Sequence, residues 1–184
     1  MTSLDPHAAR AALRLAHDHI AAALEERNLP VEAVEGLDLR VGHFVSLHKA
    51  GHLRGCMGVL ESAEALWKAL PRTARLAAFE DPRFPGLKPH EWPQCQLELS
   101  LLTPFVAVAG VEQIIVGRHG ILLEAQGRRA LFLPQVATEQ GWTREETLAH
   151  LCAKAGLPPD AWQMADCRFQ VFEAQVIREE IQGL

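Results

Sequence analysis

Tyrosine is absent, and the four cysteines, Cys56, Cys95, Cys152 and Cys167, form no C-x-x-C pair. Their dispersion argues against a structural zinc site and against a small disulfide scaffold. Free thiols in a reducing cytoplasm are the compartment it supports. No apolar run approaches the roughly 18 residues of a membrane span. The opening MTSLDPHAAR has no basic segment followed by an apolar stretch, so no secretory signal is expected. A formal net charge of −5, with no dense run of lysine or arginine and no RNP-like aromatic run, argues against nucleic acid as a partner. The phosphate-cradling glycine motifs, the G-x-S-x-G elbow and H-E-x-x-H are all missing. His43, His48, His52 and His119 stand at no recognised ligand spacing. Nothing in the motifs calls for a cofactor or a metal.

What is present suits one compact domain spanning residues 1–184, with 48% hydrophobic residues and therefore a real core. The stretch from Asp5 to Asn28 predicts a helix, capped by Asp5 and opened by Pro6, with Leu13, Ala16, Ile20, Ala23 and Leu24 on one face. His17 and His19 are expected at its solvated sides. Residues 41–60 predict two strands joined at Lys49-Ala50-Gly51. A helix follows, capped by Ser62 and kinked or divided at Pro71. DPRFPGLKPHEWP, with four prolines, must be a loop. In QCQLELSLLT (94–103), Cys95, Leu97, Leu99 and Leu101 alternate with Gln96, Glu98, Ser100 and Leu102. IIV, GILLEA and RALFLP predict short strands, with Gly127 at a hairpin. TREETLAHLCAKAG predicts a helix with a Thr143/Glu146 capping box and a Gly156 stop. RFQVFEAQVI predicts a last strand. This order lacks a βαβ repeat and indicates α+β with a mainly antiparallel sheet flanked by helices.

The stretch GHLRGCMG (51–58) is dense in chemistry. If it is extended, His52, Arg54, Cys56 and Gly58 share one face, while Leu53, Met57 and Val59 take the other. An arginine beside a thiol favours the thiolate, the reactive form. Gly55 permits a bulge, which would break that shared face. The alternative is a small buried apolar cysteine in a twisted, glycine-bearing strand. Glu98 and Ser100 pose the same choice: a wet strand face, or groups that meet Arg54 across a cleft.

LRGCMG resembles the L-R-G-C-I-G signature of the AMMECR family, with Met57 in place of the usual isoleucine. The resemblance continues through AAFEDPRFPGL (77–87), LELSLLTPF (97–105), VGRHGILLE (116–124), LFLPQVATEQGW (131–142) and LCAKAGLPPDAW (151–162). It implies an α+β fold with a larger lobe, an antiparallel sheet flanked by helices, and a smaller lobe beside it. Members of this size resemble protein A of the AmmeMemoRadiSam system, which accompanies a Memo-like protein and a radical SAM protein. The family's activity is unsettled. Arg54, Gly55, Cys56 and Gly58 match the signature, Glu98 and Ser100 match an E-x-S-x-L-T-P block, and Pro134 and Gln135 match L-P-Q-V.

Two functions follow as expectations. In one, a cleft between the lobes holds Cys56 and Glu98 as catalytic groups. Arg54 anchors an anion there, and Gly55, Gly58, Ser100 and Gln135 serve ligand binding. In the other, the same groove is a non-catalytic binding or assembly site for a peptide, a small acidic ligand or the Memo-like partner. The capping box gives a direct test of the local reading: Thr143→Ala is expected to cost about 0.5–2 kcal/mol in urea unfolding.

Overall fold

The computed structural model describes residues 3–179, which fold as α+β with two antiparallel sheets. The chain divides into two compact units. The first runs to Leu102 and resumes at Gln175, and the second takes Thr103–Ala174.

In the first unit, α1 (Pro6–Leu24) begins where the Asp5 carboxylate accepts the His7 and Ala8 amides at 2.8 and 2.9 Å. Ala8, Ala12, Ala16 and Ile20 bury one stripe of it against α2 (Leu66–Phe79). His19 is buried as well, against the solvated position expected for it, and burial pushes its pKa down. Helix α2 starts without the Ser62 cap. Ser62 instead bonds to Glu64, and the Leu66 and Trp67 amides are taken by the carbonyls of Leu39 and Leu37. Nor does Pro71 divide the helix: it sits inside one continuous segment. Near the start of a helix the missing proline N–H removes a single bond to the previous turn, and Pro71 is itself buried in the packed face.

The first sheet has the order β2-β1-β3-β8, from β1 (His43–Lys49), β2 (His52–Val59), β3 (Cys95–Leu102) and β8 (Ala174–Arg178). β1 and β2 form the expected hairpin, with Ala50 and Gly51 both at positive φ in the turn. One face of this sheet, with Val45, Leu47, Leu97, Leu99 and Leu101, packs with α1 and α2 into a single core. At about 25 cal/mol per Å² of apolar surface buried, leucines of this kind each stabilise the fold by roughly 1.5–3 kcal/mol.

The second unit holds the sheet β4-β7-β5-β6, from β4 (Val106–Ala107), β5 (Gly120–Ala125), β6 (Arg128–Phe132) and β7 (Arg168–Phe172). Its helices are α3 (Pro134–Gln140) and α4 (Arg144–Lys154). α4 carries the complete Thr143/Glu146 capping box, and Gly156 takes a positive φ just beyond its end. Three expectations change here. IIV forms no strand, α3 was not foreseen, and RFQVFEAQVI is two strands, β7 and β8, that belong to different sheets. The break falls at Glu173, whose amide and carbonyl bond to Thr103 instead of continuing a ladder. Alternation has the same period in either sheet, so the pattern alone carries no sign of the change.

Gly55 is where helix and sheet meet. A Cβ at this position would collide with the Ala77 carbonyl of α2. Gly55→Ala is therefore expected to destabilise by about 1–3 kcal/mol through overpacking. An unchanged urea midpoint would show that α2 can move away freely.

Candidate functional site

β1 lies between β2 and β3, and its register sets the side chains opposite the helix-packed face. Ser46 stands between Cys56 and Glu98, and Phe44 between Gly58 and Ser100. Four of the residues singled out from sequence thus fall into two adjacent rows, Cys56–Ser46–Glu98 and Gly58–Phe44–Ser100. Gln135 belongs to the second unit, in the first turn of α3.

The thiol row has defined chemistry. The Ser46 hydroxyl donates to Cys56 Sγ at 3.1 Å. Glu98, 6% exposed, accepts from Arg178 Nε at 2.6 Å. Burial pushes the Cys56 thiol up, and the Ser46 hydroxyl and the Arg83 charge only partly oppose it. Ser100 Oγ and His48 Nε2 are buried without a hydrogen-bond partner among the described residues. Orphaned buried groups are rare enough that each marks a place where the fold leaves a polar demand open.

Arg54 does not join this row. The β1–β2 register shifts between Leu47 and His48, so that Leu47 faces Gly55 and His48 faces Leu53, and Arg54 is the extra residue of a bulge. Its guanidinium grips Glu91 with Nη2 and Nε at 2.9 and 3.2 Å. Lys49 adds a third bond to the same carboxylate at 3.1 Å. Both ends of the Arg54–Glu91 pair are largely buried, with side chains 12% and 14% exposed. Arg54, followed by Lys49, holds Glu91 down to about 2. The expected Arg54–Cys56 partnership is thus replaced by an ion pair, and the bulge is the physical reason.

The cation near Cys56 is Arg83. Cys56 and Ser46 face each other across β1–β2, and β2 is the outermost strand, so the backbone of Cys56 turns away from β1. In an antiparallel ladder this is the geometry of a non-hydrogen-bonded pair, whose side chains lie close. The outward Cys56 amide donates to Asp81 Oδ2 at 2.9 Å, and its carbonyl accepts from Arg83 Nη2 at 3.3 Å. Arg83 also donates to both Asp81 oxygens at 3.0 and 2.7 Å. That bond, ahead of the backbone amides, brings buried Asp81 down to about 2. The Phe84 ring has the guanidinium carbons of Arg83 and Arg54 at 5.5 and 6.0 Å from its centre.

The signature glycines, expected to serve ligand binding, each have a close neighbour within the fold. Gly55 meets the Ala77 carbonyl, and the space beside Gly58 is filled by the Phe44 ring and the His43 carbonyl. His43 is fully buried, and burial lowers its pKa and keeps it neutral. Its Nδ1 donates to the Val41 carbonyl at 3.1 Å, and Nε2 lies 2.9 Å from the Thr73 hydroxyl. Among the described residues no three His, Cys, Asp or Glu side chains gather as a metal site, and no helix is long and apolar enough to cross a membrane.

Sequence reasoning passed over Ser46, Asp81, Arg83 and Glu91. Asp81 and Arg83 lay in the DPRF block and Ser46 on the polar face of an alternating strand, whereas Glu91 in PHEWP carried no signal. The depressed Asp81 carboxyl makes a signed prediction. Its stabilisation is complete above the ordinary value of 3.8 and is lost as pH falls through about 2. Asp81→Asn should therefore be less stable than wild type at neutral pH, with the gap closing between those values in chemical denaturation. A gap independent of pH would refute the assignment.

Comparison with known proteins agrees with this architecture. The AMMECR1 family model matches residues 13–177. Protein MK0488 of Methanopyrus kandleri is 45% identical over 148 residues, covering 76% of this chain and 72% of its own. Protein NEQ441 of Nanoarchaeum equitans is 36% identical over 176 residues, covering 91% and 98%. The crystal structure of the uncharacterised protein PH0010 from Pyrococcus horikoshii superposes with a TM-score of 0.89 at 34% identity, covering 96% of this chain and 94% of that one. The chain belongs to the AMMECR1 family.

Proposed function

We propose that this protein is a non-catalytic binding and assembly module that works with a Memo-like protein and a radical SAM protein, as protein A of an AmmeMemoRadiSam system. The observation that carries this reading is the engagement of the signature residues. Arg54 is closed onto Glu91, the Cys56 backbone is held by Asp81 and Arg83, and burial keeps the thiol protonated. A nucleophilic cysteine needs the opposite: a lowered pKa and a base positioned on it. The charge this edge leaves in solvent is that of Arg83, whose side chain is 56% exposed and held in place by buried Asp81, and a fixed surface cation suits recognition.

A second reading rests on the Cys56–Ser46–Glu98 row. There Glu98 acts as base and Ser46 relays the Cys56 proton to it, leaving a thiolate as the reactive group, with Ser100 in the adjacent row as a ligand contact.

Co-purification with the two partner proteins, comparing wild type with Cys56→Ser, separates the two. A stoichiometric complex unchanged by the substitution is the expected result. A turnover product that depends on Cys56 would replace the module with the enzyme. Iodoacetamide labelling supplies a second reading: Cys56 should react no faster than Cys95, whose thiol burial also raises, and Arg54→Ala should leave its rate unchanged.

A further inference from the structure

The chain passes between its two units twice, at Leu102–Thr103 and at Ala174–Gln175. In the first sheet β3 neighbours β8, and in the second β4 neighbours β7. β3 leads into β4 and β7 into β8, so one two-stranded ribbon carries both connections. Its pairing slips where the units divide. The Thr103 amide donates to the Glu173 carbonyl at 2.8 Å, and the next pair along the ribbon is Val106 with Val171. Three steps on one strand therefore match two on the other, which is the count of a β-bulge. Pro104 follows Thr103 and has no N–H to give to a ladder. The Glu173 amide is served by a side chain, donating to Thr103 Oγ1 at 2.8 Å. Arg118 Nε donates to Glu173 Oε1 at 2.8 Å, with both side chains in solvent.

We propose that residues 103–105 and Glu173 form a two-stranded hinge, pinned by the Thr103 hydroxyl and latched by the Arg118–Glu173 ion pair, on which the second unit turns as a body. Each unit is held by its own apolar core, drawn from residues 4–101 in the first and 114–171 in the second. Separate cores let each unit keep its shape while backbone torsions change at the few element-terminal residues between them. The slipped register supplies those torsions. Bending there gives up the pin and the latch, and the ladder bonds within either sheet stay made. Two crossings side by side leave bending of the ribbon as the permitted motion, where a single linker would allow free tumbling.

The test is NMR relaxation and exchange of the backbone amides of the full chain. It compares wild type with Thr103→Val, which keeps the shape and removes the acceptor, and with Thr103→Ser, which restores the hydroxyl. In Thr103→Val the Glu173 amide is expected to exchange about tenfold faster, the effect of one lost hydrogen bond. Residues 106–172 should then tumble with a correlation time different from that of the first unit, while amides within both sheets keep wild-type protection. Thr103→Ser should return both readouts to wild type. If Thr103→Val fails to fold, Arg118→Gln releases the exposed latch alone, and a smaller separation of the two correlation times is expected. A single correlation time for the whole chain in the folded variant overturns the proposal, because the bond is then a local one. Loss of protection within either sheet overturns it as well, since the crossing would then belong to that sheet's own fold.

Discussion

The bond from the Cys56 amide to the Asp81 carboxylate is the constraint around which the first unit is arranged. Asp81 follows directly on the end of α2, so one hydrogen bond ties that helix terminus to the outermost strand. Gly55, one residue earlier in β2, receives the Ala77 carbonyl of the same helix. Two contacts, one polar and one steric, thereby fix helix against strand from adjacent positions. A larger residue at 55 would push the helix away and lengthen the Asp81 bond. Loss of Asp81 would leave a backbone donor unserved beside the packed face, a demand that costs on the order of 1–3 kcal/mol.

The charge arrangement follows from that clasp. Arg83 neutralises the buried Asp81, and Arg54, displaced by the bulge, neutralises Glu91 with help from Lys49. Phe84 lies against both guanidinium groups, so the proline-rich segment after α2 is held from each end. The signature of this AMMECR1-family chain thus reads as a strand edge with its fastenings. Glycine supplies the close approach, arginine closes an ion pair, and cysteine supplies a small side chain facing Ser46. Arg54, the cation expected beside the thiol, is turned to Glu91 instead. Among the described residues, the Ser100 hydroxyl and the His48 ring nitrogen are buried on that face without a hydrogen-bond partner.

Local physics was legible in the residues themselves. The Asp5 and Thr143 caps, the Ala50-Gly51 turn and the strict alternation of Leu97, Leu99 and Leu101 each arise within a few positions of one another. Short-range sterics and hydrogen bonding therefore decide them without reference to the rest of the chain. Family membership was legible too, since it rests on blocks of sequence in order, and the α+β class came with it. Tertiary structure decided which partner each functional group takes. Arg54 and Cys56 share a strand, yet a one-residue bulge sends the guanidinium to Glu91, distant in sequence, and leaves the thiol to Ser46 and Arg83. β7 and β8 carry one alternating pattern but enter two sheets, because alternation has the same period wherever a strand is placed. Helix α2 begins without its expected serine, since the carbonyls of Leu37 and Leu39 serve its first amides. In each case the deciding contact joins residues far apart in the chain, and no local preference encodes which distant group will arrive.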